Sequence, residues 1–319
     1  MEFLKKLFVD PFVEMVSYPD FLMQVLWEGL VSGVLYSLIA LGFVLIFRSS
    51  RIFNFAQGIM VVFAALTLVG FHAMGIPAWV SVIFTLGVMA LLAITIERVV
   101  LRPLVGQPDI ILFMATIGIT LFLIGGGELI FGGETKRMIT SDLGIPTGSV
   151  DFEPFGGLLI LQHLDITSVA AAVVLVTGLL IFLNKTRMGR AIRALGDDHQ
   201  AALSVGISLR TVWVLVWFIA GVIALMTGIF WGARAGVSFA LEVIAYKALP
   251  VLMLGGLESI TGAIVGGLAI GLLEKLFEIY WGQPLLGGGT ETWFAFVLAL
   301  IVLLFRPQGL FGEKIIERV

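Results

Sequence analysis

Residues 25–47, VLWEGLVSGVLYSLIALGFVLIF, form a long apolar stretch in which Glu28 is the only charged residue. A transmembrane helix needs about 20 predominantly apolar residues, so this stretch predicts a membrane span. Further stretches of the same character bring the prediction to about nine candidate spans, within a range of about eight to ten. Residues 243–257 are short and carry Lys247 and Pro250, which predicts a broken or re-entrant segment. The other candidates are residues 55–74, 78–96, 110–131, 166–183, 211–230, 260–280 and 292–305.

The composition points to the same class of protein. Of 319 residues, 59% are hydrophobic and only 13% are charged, about half the charged fraction of a soluble domain. So few charges exclude an ordinary soluble enzyme, and a net charge of −3 gives no basic face for nucleic acid. The absence of cysteine excludes disulfides and thiolate metal sites. We predict an all-α, polytopic transmembrane helical bundle, closely packed through pairs such as Gly29/Gly33 and Gly267/Gly271.

The basic residues predict the orientation of the chain. Most of the 19 lysines and arginines follow the first, third, fifth and ninth candidate spans, which end on one side if the spans alternate. Basic loops mark the cytoplasmic side, so the C-terminus is predicted to be cytoplasmic and the mildly acidic loop 132–165 external. Lys5 and Lys6 then fall outside, against the rule. Either an extra re-entrant segment exists, or residues 1–24 form an amphipathic segment on the outer membrane surface.

An enzymatic function finds little support in the sequence. His72, His163 and His199 are far apart, and no spacing typical of a metal site or of a Gly-x-Ser-x-Gly nucleophile occurs. The polar cluster 197–199 is interpreted as the start of a helix, where aspartate is favoured.

An ion-coupled carrier would need ionisable groups inside the membrane. The candidates are Glu128, Glu242, Lys247 and the pair Glu274-Lys275. Glu242 and Lys247 are five residues apart and poorly placed to pair on one helix. Lys247 either snorkels from a short, tilted helix or faces an aqueous path and helps to hold a carboxylate.

A transport pore driven by a separate motor protein is favoured by the loop 184–210. It contains two predicted short helices, residues 189–195 and 199–205. Arg190 and Arg193 lie three residues apart, and the flanking alanines suit docking into a groove of another protein. The alternative is a basic cytoplasmic loop with a surface helix. No phosphate-binding Gly-x-x-x-x-Gly-Lys-Ser/Thr motif occurs, so any ATPase would be a separate chain.

Several strings of residues, in this order and spacing, resemble the membrane permease subunits of bacterial ABC importers for branched-chain amino acids. The resemblance is to the shorter of the two permeases in such a system and covers nearly the whole chain. The strings are GVLYSLIALG (33–42), FNFAQG (53–58), IERVVLRP (96–103), ATIGIT (115–120), MGRAIRA (188–194), LGGLESITGAIVGG (254–267) and RPQGLF (306–311).

The resemblance implies an ABC importer permease fold with a cytoplasmic coupling loop. It also implies a heterodimer with a second permease, two cytoplasmic ABC ATPases and an extracytoplasmic substrate-binding protein. The residues it places at the ATPase are Gly189, Arg190, Arg193, Ala194, Asp197, Asp198, Ala201, Ala202 and Gly206. Those it places near the translocation path are Asn54, Gln57, Gly58, Thr116, Gly118, Lys247, Gly255, Gly256 and Ser259.

From these observations we expect a pore-forming permease subunit in the bacterial inner membrane that imports branched-chain or related small amino acids. Partner chains would hydrolyse the ATP, and the chain itself would have no catalytic site, metal or cofactor. The expected parts are an amphipathic segment (1–24), a permease domain (25–312) and a cytoplasmic tail (313–319). Two alternatives stay open: a permease for urea or short amides, and a carrier that works alone on an ion gradient.

Overall fold

A computed structural model describes residues 2–154, 156–197 and 199–312, without the side chains of residues 2, 3, 197, 199 and 200. Asp198 and the predicted tail 313–319 therefore lie outside the described residues. Within them the regular secondary structure is helical apart from one β-hairpin, which confirms the predicted all-α class.

The helices follow one another in chain order, mostly with short connections, and the longest connection is the segment 132–162 between α6 and α7. They are α1 (Glu2–Phe8), α2 (Asp10–Ser17), α3 (Pro19–Ser50), α4 (Gln57–Ala73), α5 (Ala78–Thr95), α6 (Asp109–Phe131), α7 (His163–Lys185), α8 (Arg187–Asp197), α9 (His199–Ser204), α10 (Leu209–Ala235), α11 (Leu241–Tyr246), α12 (Ala248–Gly255), α13 (Ile260–Phe277) and α14 (Phe294–Phe305). Helices α5 and α13 continue into the π-helical turns Ile96–Leu101 and Glu278–Leu286, and 3₁₀ turns occupy Arg102–Leu104 and Thr290–Thr292.

Six helices in the described part of the chain are long and apolar enough to cross a membrane. The longest, α3, has 32 residues and a length of about 48 Å, which exceeds the roughly 30 Å of a bilayer's hydrocarbon core. Helices α4 and α14 are apolar but shorter. The six spans are Pro19–Ser50, Ala78–Leu104, Asp109–Phe131, His163–Lys185, Leu209–Ala235 and Ile260–Leu286.

The stretch 243–257, predicted to be broken, forms two short helices. Helix α11 ends at Tyr246 and α12 begins at Ala248, with Lys247 between them. Pro250 lies in the first turn of α12, where its missing N–H is tolerated. Gly256, with φ of +100°, follows the last residue of α12 and turns the chain toward α13.

The chain divides into two compact units. The first contains the residues up to Ser37, Ile145–Ala171 and the residues from Lys247 onward. The second contains Leu38–Gly144 and Ala172–Tyr246.

In the second unit α4 is the central helix, buried along most of its length and packed against α5, α6, α10 and α11. A methyl group added at Gly228 of α10 would lie 2.6 Å from the carbonyl oxygen of Val61 in α4. The two backbones therefore approach as closely as glycine permits, as is common between helices in membranes.

In the first unit the start of α3 packs against α13 through the glycine pairs that the sequence singled out. A methyl group at Gly33 would lie 2.7 Å from the carbonyl oxygen of Gly267, and one at Gly271 would overlap the backbone of Gly33. Ser37 Oγ donates to the carbonyl oxygen of Ile264, 3.1 Å away. Both glycine motifs therefore act as helix-packing surfaces.

The chain between α6 and α7 contains a small antiparallel hairpin. Strand β1 (Ser149–Phe152) pairs with β2 (Leu159–Gln162) in the register Ser149↔Gln162. The N–H of Ile160 donates to Gln24 Oε1 at 3.1 Å, so the hairpin lies against the beginning of α3.

Candidate functional site: the interrupted helix, the Lys247 region and the coupling loop

Helix α4 begins after an irregular segment that Thr116 fixes in place. The Thr116 hydroxyl oxygen accepts from the N–H of Phe55 at 3.1 Å and lies 3.2 Å from the carbonyl oxygen of Phe53. Arg51, which starts the segment, has φ of +58°, a left-handed conformation that is uncommon outside glycine. A side chain of α6 therefore satisfies the N–H of Phe55, which the interruption leaves without a helical partner.

Asn54 and Gln57 are fully buried and use their polar atoms inside the protein. Asn54 Oδ1 accepts from the N–H of Ala56 at 3.1 Å. Gln57 Nε2 donates to the carbonyl oxygen of Ala220 in α10 at 3.4 Å. Gly42 makes the room, since a methyl group there would overlap the Gln57 amide. The structure thus brings Asn54, Gln57 and Thr116 together, with the two amide side chains supporting the interruption.

The two glycines predicted for this region differ in their surroundings. A methyl group at Gly58 would lie 3.0 Å from Ala245 Cβ, so glycine allows α11 to approach the first turn of α4. At Gly118, on α6, an added methyl group would meet no heavy atom within 4 Å.

Lys247 belongs to the first unit and is paired. Its Nζ lies 2.7 Å from Glu274 Oε1 and 5.6 Å from the centroid of the Tyr36 ring. The Tyr36 hydroxyl donates to the same Glu274 oxygen at 3.2 Å. Glu274 is only 1% exposed. Lys247, which the sequence analysis gave as a candidate for holding a carboxylate of the substrate, is therefore paired with a buried carboxylate of the protein.

Gly255, Gly256 and Ser259 form the turn between α12 and α13. Ser259 Oγ accepts from the N–H of Gly262 at 2.9 Å and caps α13. The carbonyl oxygen of Gly255 accepts from the N–H of Phe311, 3.1 Å away. The turn therefore packs against the segment that follows α14.

The loop 184–210 contains two short helices, as predicted, but their bounds differ from the predicted ones. Helix α8 is Arg187–Asp197 and helix α9 is His199–Ser204. Arg193 Nη1 donates to Asn184 Oδ1 at 2.7 Å, and Arg51 Nη2 donates to the carbonyl oxygen of Gly196 at 3.1 Å. A cation near the last carbonyls of a helix is stabilising. Arg190, Ala201 and Gly206 are exposed, Arg193 and Ala194 are half-buried, and Gly189 and Ala202 are buried.

The sequence matches the family described as the permease component of branched-chain amino acid transport systems, over residues 25–305. The chain belongs to this family. It is similar to BraD of Pseudomonas aeruginosa, a high-affinity branched-chain amino acid transport system permease protein, with 29% identity over 93% of this chain and 98% of that protein. LivH of Escherichia coli, which has the same description, is 28% identical over 94% and 98% of the two chains. The probable branched-chain amino acid permease LivH of Methanocaldococcus jannaschii is 28% identical over 91% and 92%.

As a permease component, the chain is a multi-pass subunit of the inner membrane and a transport protein, not an enzyme. The predicted permease class is confirmed. The family also implies an ATPase and a substrate-binding protein as further components of the transport system. Among the described residues, no group of three or more histidines, cysteines or carboxylates could hold a metal ion.

One feature of this permease component was missed in the sequence. Glu278 accepts from the N–H groups of Gly289 at 2.9 Å, Thr290 at 2.7 Å and Glu291 at 3.2 Å, and from the Thr290 hydroxyl. The three glycines before Thr290 all have positive φ, so the GGG string could have signalled the tight turn. The acceptor, Glu278, precedes these residues by more than ten positions, and no sequence spacing could have identified it.

A second missed feature is a pair of exposed apolar side chains in the loop 184–210. Leu203 is 52% exposed and Val205 75% exposed. They flank Ser204, the last residue of α9, beside the small alanines that the sequence singled out.

Proposed function

We propose that this chain is the pore-forming permease subunit of an ATP-driven importer for branched-chain or related small amino acids. The observation that carries the proposal is the similarity to BraD and LivH over nearly the full length of both chains. Those proteins are named as branched-chain amino acid permeases, and the same class is assigned here. This chain contains no phosphate-binding loop, so in the proposed importer separate ATPase subunits hydrolyse the ATP.

The proposed assembly contains a second permease as heterodimer partner, two cytoplasmic ABC ATPases and one extracytoplasmic binding protein. We assign ATPase coupling to residues 184–210, with Arg190, Arg193 and Ala201 of α8 and α9 facing the partner. The exposed side chains of Leu203 and Val205 support this assignment. Movement of one permease bundle against the other would then follow ATP binding and hydrolysis.

We propose that the C-terminus is cytoplasmic and that the segment 1–24 lies on the outer face with the loop 132–165. The bond between Gln24 and Ile160 supports a common side for the start of α3 and the hairpin of that loop. The Trp281 indole N–H also donates to the carbonyl oxygen of Leu7 at 2.9 Å. Together these contacts favour an N-terminal segment at the outer interface over an extra re-entrant span.

We assign the translocation path to Asn54, Gln57, Gly58, Thr116, Gly118, Lys247, Gly255, Gly256 and Ser259. The interruption before α4 and the break at Lys247 support this assignment, because non-helical backbone at membrane depth is tolerated where it is buried in protein or lines a cavity.

The test is reconstitution of the whole importer in proteoliposomes with ATP inside. We expect ATP-dependent uptake of radiolabelled leucine that requires the ATPases and the binding protein. Uptake of urea or acetamide instead of leucine would show that the chain is a permease for urea or short amides. Uptake by this chain alone under a sodium or proton gradient would overturn the proposal.

A further inference from the structure

Glu242 is a carboxylate in an apolar part of the bundle. It lies in the first turn of α11, is 9% exposed, and has Leu241 and Ala245 buried beside it at 3% and 1%. Helix α11 packs against α4. A charged group in such a place is expensive and is a candidate functional residue by default.

The Glu242 carboxylate has a hydroxyl partner. The Tyr246 hydroxyl donates to Glu242 Oε1 at 2.5 Å. Among the described residues of the second unit, no lysine, arginine or histidine nitrogen lies within 4.0 Å of Glu242. Within the described residues of this unit, the negative charge of Glu242 therefore has no cationic partner.

Aromatic rings form a wall beside this carboxylate. The centroid of the Phe55 ring is 5.6 Å from that of Tyr246 and 6.1 Å from that of Phe113. All three side chains are partly exposed. The position of Phe55 is fixed by its backbone bond to Thr116. The faces of aromatic rings attract cations, most strongly where water is excluded.

Gly58 allows α11, which carries Glu242 and Tyr246, to approach the chain that carries Phe55. A methyl group at Gly58 would lie 3.0 Å from Ala245 Cβ and 3.7 Å from Glu242 Cγ. The close approach of α11 to the first turn of α4 therefore brings Glu242 next to the chain that carries Phe55.

We propose that Glu242, with the rings of Phe55, Phe113 and Tyr246, binds the α-ammonium group of the transported amino acid. A primary ammonium group offers a positive charge and three N–H donors. The carboxylate supplies the opposite charge and an acceptor, and the rings supply a partly dehydrated wall. The inference rests on the proposed function, because it requires a substrate with an ammonium group.

The first test uses the complete importer in proteoliposomes with radiolabelled leucine. Glu242→Gln keeps the size and an acceptor for Tyr246 but removes the charge. We expect uptake at limiting leucine to fall by about 10- to 100-fold, the range for loss of a charge-assisted hydrogen bond, while assembly and basal ATPase activity persist. Glu242→Asp should restore part of the uptake. The matched control is Glu128→Gln, an exposed carboxylate on α6, which should leave uptake unchanged.

A second measurement works on the wild-type protein and does not depend on the folding of a variant. A hydrophobic diazo reagent, used in large excess, esterifies buried carboxyl groups without coupling them to amines, and peptide mass spectrometry reads this labelling of Glu242. During ATP turnover, 3-methylbutylamine, which keeps the ammonium group, should slow the labelling. The matched acid 4-methylpentanoate, which lacks it, should not.

The outcomes separate this inference from the proposed function. If the wild-type importer does not take up leucine, the substrate assignment fails, and protection by the amine alone decides whether the cluster binds ammonium. If the importer takes up leucine and Glu242→Gln does so at the wild-type rate, the inference is overturned. Equal protection by the amine and the acid, or none by either, also overturns it.

Discussion

Lys247 and Glu274, 27 residues apart in the chain, form an ion pair of 2.7 Å in which the carboxylate is 1% exposed. The pair joins the residue between α11 and α12 to α13. Attraction between buried charges is opposed by the cost of removing both from water, so the pair adds little net stability, whereas loss of one partner is costly.

The ion pair gives the first prediction. Lys247→Met should lower the free energy of unfolding by about 3–5 kcal/mol, because it leaves Glu274 charged and buried. The double variant Lys247→Met/Glu274→Met should recover most of that loss. Denaturant unfolding of the detergent-solubilised importer measures both. A double variant as unstable as the single one would contradict this account. Leucine uptake by the recovered double variant then tests the path role proposed for Lys247.

The contact between α3 and α13 gives the second prediction. Gly271→Ala should destabilise the subunit by about 1–3 kcal/mol, because the methyl group would overlap the backbone of Gly33. The matched control is Gly87→Ala in α5, where the methyl group meets no heavy atom within 4 Å. Alanine there should stabilise the helix by up to about 1 kcal/mol. Melting temperatures that shift equally in the two variants would contradict the packing role.

The loop 184–210, for which ATPase coupling is proposed, gives the third prediction. Arg193→Glu should abolish most ATP-driven uptake while the subunit stays assembled with its partners, because the charge reversal disrupts the proposed ATPase contact. Arg102→Glu, at an exposed position outside the loop 184–210, is the matched charge reversal and should transport normally. Asn184→Ala removes the bond to Arg193 without changing charge and separates local structure from coupling. Normal uptake by Arg193→Glu would rule out the assigned role.

The Glu278 contacts give the fourth prediction. Glu278→Gln should lower the free energy of unfolding by about 1–3 kcal/mol, since an amide cannot replace a carboxylate that accepts from several donors at once. Hydrogen exchange should speed up at the amides of Gly289, Thr290 and Glu291. Glu291→Gln removes the more exposed pair with Lys275 and should cost no more than about 1 kcal/mol. Unchanged exchange at these amides would refute the role of Glu278.

The sequence predicted those features of the fold that depend on residues close together in the chain. Apolar stretches predicted the long helices, and Gly29/Gly33 and Gly267/Gly271 predicted a close helix contact. Lys247 and Pro250 predicted the break in residues 243–257. Pairs of residues that are distant in the chain were not predictable in this way. From its spacing, Lys247 could be considered only with the nearby Glu242, whereas the structure pairs it with Glu274. Such pairings depend on how the helices pack in three dimensions.

The segment after α14 has a practical consequence for making this protein. The N–H groups of Leu310 and Phe311 donate to the carbonyl oxygens of Leu254 and Gly255, and a methyl group at Gly309 would lie 2.8 Å from the Gly256 nitrogen. A chain shortened to the end of α14 would expose the end of α12 and lose these two bonds. An affinity tag should therefore not replace the residues that follow Phe305.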